Sequence, residues 1–146
     1  MDFGILSQHI ENIDHHTVTA SLGCSDGVFR VMEYNLTHED EDCISKSKQT
    51  AEISADGDLI LNHNSTPEAY ALAMDSGNFH ILDKATLEVK YTQEKAHEYQ
   101  MWWILVDKFA TDLVYTGADD AKFKGWDTRM PGIPIFWNNE SKIENM

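Results

Sequence analysis

The chain has 146 residues, of which 11 are Lys or Arg and 25 are Asp or Glu, for a formal net charge of −14 with 42% hydrophobic residues. That composition fits a globular chain built on one core. Its acidic excess excludes a direct nucleic-acid binder, whose affinity comes largely from Lys and Arg neutralising phosphates. Anionic membrane surfaces are disfavoured likewise, and no run approaches the ~18 apolar residues of a membrane span.

In chain order, the stretch Met1 to His9 has no basic region and only a fragmentary apolar run, so it does not serve as a secretory signal and a cytoplasmic location is expected. Without export, the sequons at Asn35, Asn64 and Asn139 are chance matches and Cys24 and Cys43 stay reduced. Two cysteines at that spacing form no zinc site, and no metal is expected.

The segment Ser25-Asp26-Gly27-Val28-Phe29-Arg30-Val31-Met32 reads as a tight turn followed by a strand. The pattern recurs at Asp75-Ser76-Gly77-Asn78-Phe79-His80-Ile81-Leu82 and at Asp119-Asp120-Ala121-Lys122-Phe123-Lys124-Gly125-Trp126. Met32, Leu82 and Trp126 occupy one position of the pattern, and the units repeat at about 50 and about 44 residues, the size of a propeller blade. A β-rich run precedes each turn, at Thr17 to Ala20, Ala69 to Met74 and Leu113 to Thr116, and completes a hairpin. Innermost strands are expected at Asp58 to Asn62 and Met101 to Val106, and outer strands at Leu87 to Thr92 and Ile133 to Trp137. The acidic run Glu39-Asp40-Glu41-Asp42 reads as a solvated loop. The fold class is therefore all-β, with three units at about 1–48, 49–93 and 94–137 and a tail at 138–146.

Gly23-Cys24-Ser25-Asp26-Gly27 matches the G-x-S-x-G nucleophile elbow, but that elbow needs a helix after the serine and a β-rich run follows here. The third unit is more informative. Ala96-His97 precedes a strand, Thr116-Gly117-Ala118-Asp119-Asp120 ends the next strand in a turn, and Gly125-Trp126-Asp127-Thr128-Arg129 closes the third. This closely resembles a WD repeat, and the resemblance implies a buried hydrogen-bonded network of His97, Thr116, Asp120 and Trp126. A His oriented by Asp beside a hydroxyl also has the form of an activated nucleophile, but the structural role is the expected one. The first two units carry Leu22, Asp26 and Met32, then Leu72, Ser76 and Leu82, at the Thr116, Asp120 and Trp126 positions. Those blades are expected to rely on apolar packing.

The longer string from His97 to Phe136, with Gly125 before Trp126-Asp127 and both Thr128-Arg129 and Pro131-Gly132 after, is similar to the diphthine methylesterase family of WD-repeat proteins. The resemblance implies a propeller of about seven blades, so three units are expected to form an incomplete ring, a truncated member of the family whose open blade edges favour self-association. It also implies a function: hydrolysis of the methyl ester of methylated diphthine, the modified histidine of translation elongation factor two, during diphthamide synthesis, with that protein as substrate and no cofactor. No catalytic residues carry over. The alternative is a non-catalytic WD-repeat scaffold, since Trp126-Asp127-Thr128-Arg129 fits the W-D-x-R signature by which propellers dock through Arg129 onto the adaptor protein of a cullin ubiquitin ligase. Against that stands a local salt bridge of Arg129.

Overall fold

The computed structural model describes residues 2–36, 45–53 and 57–138, with the backbone alone at 45–47. The acidic run at 39–42, Cys43, Asn139 and nearly all of the tail lie outside the described residues.

Three four-stranded antiparallel sheets follow one another along the chain, and no helix occurs among the described residues. The first sheet holds β1 (Ile5–Ile13), β2 (Thr17–Cys24), β3 (Val28–Asn35) and β4 (Ser45–Glu52). The second holds β5 (Ile60–Ser65), β6 (Ala69–Met74), β7 (Phe79–Asp83) and β8 (Val89–Gln93), and the third β9 (Met101–Val106), β10 (Leu113–Ala118), β11 (Phe123–Asp127) and β12 (Phe136–Trp137). Within each sheet the strands pair in sequence order, so every connection is a hairpin. The innermost strands are neighbours across sheets, with β5 packed between β1 and β9. These are three blades of a WD-repeat propeller.

Several strands depart from the sequence reading, β1 and β4 most of all. β1 is nine residues long although its apolar residues do not alternate. The reason is a pair of register shifts against β2, between Ile5 and Ser7 and between Ile10 and Asn12, which move successive side chains across the two faces. β4 (Ser45–Glu52) has Ala51 as its one apolar residue and is held mainly by backbone pairing with β3. It carries the first sheet to Glu52, whereas sequence spacing places the first boundary at 48. The third outer strand is confined to Phe136 and Trp137. By contrast β6 and β9 have the bounds that their β-rich runs define.

The middle blade shows why. Tyr70 to Met74 are all buried, because one face of β6 meets the first blade and the other meets the third. Phe29, Val31, Ile60, Tyr70, Leu72, Met74, Leu82 and Leu87 form the core between the first and second blades. Ala71, Ala73, Phe79, Met101, Ile104, Val106, Val114 and Trp126 form the core between the second and third. The small side chains of Ala71 and Ala73 let the sheets approach, and Phe79 fills the space against the Trp126 ring, 5.8 Å away and edge-on. Leu72 and Leu82 pack as apolar residues where the third blade has Thr116 and Trp126.

The turns between the second and third strands of the three sheets share a left-handed residue. Gly27 and Gly77 supply it in the first two blades, with φ of 73° and 81°, but the third uses Ala121 at 57°. A Cβ costs about 1–2 kcal/mol in this region, partly offset by the greater freedom of glycine in the unfolded chain. Ala121→Gly is therefore expected to stabilise the protein by roughly 0.5–1 kcal/mol, read as a higher urea midpoint at unchanged slope. A lower midpoint would show that the turn is shaped by its partners and not by its own backbone preference.

Candidate functional site

Two buried polar clusters stand out among the described residues. The first lies in the third blade, and all four residues expected from sequence belong to it. His97 sits in the connection entering β9, with its backbone N–H donated to the Gly77 carbonyl of the second blade at 3.0 Å. Gly77 leaves no room for a Cβ there, since one would overlap the His97 carbonyl. Thr116 is on β10, Asp120 in the turn after it and Trp126 on β11.

The hydrogen bonds run in one direction. Trp126 Nε1–H has no acceptor capacity and donates to Thr116 Oγ1 at 2.9 Å. Thr116 then gives its proton to His97 Nε2 at 2.8 Å, which places the imidazole proton on Nδ1, facing the Asp120 carboxylate at 2.8 and 2.9 Å. Burial holds the His97 pKa below its usual range, against the opposing pull of Asp120. For Asp120, burial pushes the pKa up, but hydrogen bonds from His97 and from the Lys122 and Glu98 backbones outweigh it and the carboxyl stays below its usual range. The set is thus a neutral imidazole on a carboxylate, with every donor satisfied. The side chains of His97 and Asp120 are 0% and 2% exposed, and Thr116 is fully buried. This hydroxyl–imidazole–carboxylate chain has the order of a hydrolytic triad but no open end.

Gly125, the residue before Trp126, has a structural use: a Cβ there would overlap the Phe136 ring, which lies across β11 and brings β12 into the sheet. Arg129 follows β11. Its guanidinium grips Asp127 with two bonds, at 2.9 and 2.7 Å, and lies 3.6 Å from Asp112, while its side chain stays 67% exposed. The bond to Arg129 draws the Asp127 pKa down to about 2. Arg129 is therefore locally paired and still reachable from solvent.

The second cluster joins the first two blades, where sequence reading expects apolar packing alone. On the first blade are Ser7 and Glu11 of β1 and Ser21 of β2; on the second are His63 and Ser65 of β5 and Lys84 after β7. Ser7 Oγ lies 2.7 Å from His63 Nδ1 and Ser21 Oγ 2.8 Å from His63 Nε2. Ser21 also donates to Glu11 Oε1 at 2.6 Å. Glu11 Oε2 accepts from Ser65 at 2.8 Å and from Lys84 at 2.6 Å. Burial works to raise the Glu11 pKa, but Lys84, Ser21 and Ser65 together hold it below the usual carboxylate range. Burial lowers His63 to about 4. A signal existed in the sequence: His63 and Ser65 are two residues apart, so they share one face of a strand whose neighbours Ile60 and Leu61 are buried. Ser25, the serine of the elbow-like motif, accepts the Gly4 N–H at 2.8 Å and is followed by β3.

Among the described residues, no three His, Cys, Asp or Glu side chains are grouped to hold a metal ion, and no helix is long and apolar enough to cross a membrane.

No family model matches the chain. Its curated relatives are more telling. It is 27% identical over 118 residues to the diphthine methyltransferase of Mus musculus, with 79% of this chain covered. It is 26% identical over 138 residues, 84% of this chain, to the diphthine methyltransferase homolog of Dictyostelium discoideum. A shorter match of 47 residues is 36% identical to the Homo sapiens diphthine methyltransferase and covers 32% of this chain. The chain is similar in sequence to these diphthine methyltransferases, at low identity. It spans 24% of the mouse diphthine methyltransferase, 37% of the Dictyostelium homolog and 10% of the human protein. Solved structures agree on the fold alone. A chain of the mitotic checkpoint complex superposes with a TM-score of 0.64 at 16% identity, covering 82% of this chain and 33% of that one. Chaetomium thermophilum Raptor superposes with a TM-score of 0.73 at 15% identity, covering 95% of this chain and 13% of Raptor.

Proposed function

We propose that this protein is a cytoplasmic carboxylic ester hydrolase that removes the methyl ester from methylated diphthine on translation elongation factor two. The observation that carries the reading is the string from His97 to Phe136, which resembles the diphthine methylesterases, together with relatives whose names place their action on diphthine. Hydrolysis consumes water and releases methanol and a carboxylate. The His97 network is assigned a structural role, because its hydroxyl is sealed from any substrate.

The test is complementation. Cells lacking their own diphthine methyltransferase relative receive either this chain or the mouse protein, and the modified histidine of the elongation factor is followed by mass spectrometry. Clearance of the methyl ester is expected with both, more slowly with this chain, because three blades alone hold a groove less rigidly than a closed ring. With purified components, methanol should appear without any methyl donor; a requirement for a donor would favour methyl transfer, as the relatives' names read. Persistence of the ester with this chain alone would remove the hydrolase reading and favour the scaffold reading. The exposure of Arg129 supports that second reading, and its mark would be recovery of a ubiquitin-ligase adaptor that is lost in Arg129→Ala.

A further inference from the structure

We propose that Ser7 is the nucleophile of this hydrolase and His63 its base, with Ser21 and Glu11 as positioning residues; the proposal deepens the ester-hydrolase reading and rests on it for the nature of the substrate.

Counting the protons across the junction of the first two blades fixes the direction of each bond. Glu11 is a carboxylate, paired with Lys84, so both of its oxygens accept. Ser21 has one proton, and its bond to Glu11 Oε1 takes it. The contact between Ser21 Oγ and His63 Nε2 must then be made by a proton on Nε2. His63 is neutral, so its Nδ1 carries a lone pair, and the bond to Ser7 must use the Ser7 proton. Ser7 therefore donates to His63, His63 to Ser21 and Ser21 to Glu11. The order is nucleophile, base, orienter, with one hydroxyl inserted between imidazole and carboxylate.

The geometry around the imidazole supports the assignment. Its ring is held edge-on to Phe29 at 5.2 Å, which fixes the plane in which Nδ1 points. Ser7 lies over Gly23 of β2, where a Cβ would overlap its Oγ, so the glycine leaves the space in which the hydroxyl reaches His63. Most important is the contrast with the third blade. There the chain of bonds ends in Trp126 and a Thr116 with no exposure. Here Ser21 is fully buried in the middle of the relay, while Ser7, at its end and on the innermost strand, is only half-buried. A substrate carbonyl approaching that strand meets Ser7 ahead of the buried His63 and Ser21.

The reaction balances on these groups. Ser7 Oγ bonds to the ester carbonyl carbon as its proton moves to His63 Nδ1. The C–O bond to methoxide breaks, and the leaving oxygen takes that proton to depart as methanol. Water then attacks the acyl group on Ser7, gives one proton to His63 Nδ1 and leaves the carboxylic acid, while Ser7 recovers its proton. The imidazolium formed in each half is stabilised through Ser21 by Glu11.

An alkyl fluorophosphonate tests this directly, since an activated serine displaces its fluoride and keeps the phosphonyl group. Peptide mass spectrometry of the full chain should locate the adduct on Ser7. In His63→Gln, shown to be folded by its β-sheet circular dichroism, labelling should fall about 100-fold or more, and Ser21→Ala should reduce it less. No adduct, an adduct on another serine, or equal labelling of folded His63→Gln would overturn the proposal. The outcome is separate from that of complementation. An adduct on Ser7 with persisting methyl ester leaves the serine and rejects the substrate; clearance of the ester with no adduct on Ser7 does the reverse and overturns the proposal.

Discussion

Acidification from pH 7.5 to 5 is expected to destabilise the protein by about 2 kcal/mol, with His63 as the main cause. In the unfolded chain His63 binds its proton near 6.5, whereas in the fold burial delays binding to about 4. Between those values the unfolded state holds more protons, so stability rises with pH. The contribution is complete above 6.5 and is lost as the pH falls through 4, where it reaches about 3 kcal/mol at 1.36 kcal/mol per pKa unit. His97 and His80 are also lowered by burial and add with the same sign. The lowered carboxylates, Glu11 and Asp120 among them, have ordinary values of 4.5 and 3.8 and begin to withdraw their own stabilisation only below this window. Relief of the repulsion carried by a net charge of −14 opposes the loss, but it too depends mainly on carboxylates that are still ionised at pH 5. Urea midpoints at the two pH values should therefore differ in the wild type and lie much closer together in His63→Gln, where only His97 and His80 still contribute. Equal midpoints in the wild type would mean that His63 is protonated in the fold, with the relay from Ser7 broken.

How much was legible in the sequence follows from the range of the forces involved. β6 and β9 have their expected bounds because each is a dense apolar run closed by a local turn. β1 and β4 escape notice for a physical reason. β1 pairs through two register shifts, so its residues lose the period-two pattern, and β4 stays in place by main-chain bonds that any residue can make. The same division separates the two polar clusters. His97, Thr116, Asp120 and Trp126 come from one blade and recur at fixed offsets, which a repeat makes visible. Ser7 and His63 are 56 residues apart on different sheets, and no local pattern joins them. Their meeting is a product of how the first blade docks on the second. For that reason the expectation of purely apolar packing in the first two blades holds for Leu72 and Leu82 and fails at the inner edge, where Glu11 and Lys84 meet.

Replacing Asp120 with alanine is expected to cost about 1–3 kcal/mol of stability, because it strands a buried donor that has no other acceptor. His97 Nδ1–H points at the Asp120 carboxylate and is sealed from water, so nothing takes the place of the lost acceptor. The Lys122 N–H, which also donates to Asp120 at 3.0 Å, loses its partner in the turn. Asp120→Asn keeps one carbonyl oxygen for His97 and should recover a good part of the loss, which separates the missing acceptor from the missing volume. Hydrolysis per folded molecule should change little in either variant, since the Thr116 hydroxyl is closed off by Trp126 and by the sheet itself. The informative measurement pairs a denaturation midpoint with an initial rate normalised to folded protein. Full stability with lost activity in Asp120→Ala would transfer the proposed catalytic role from the Ser7 and His63 junction to the third blade. Lost stability with retained specific activity would support a structural role for the His97 network.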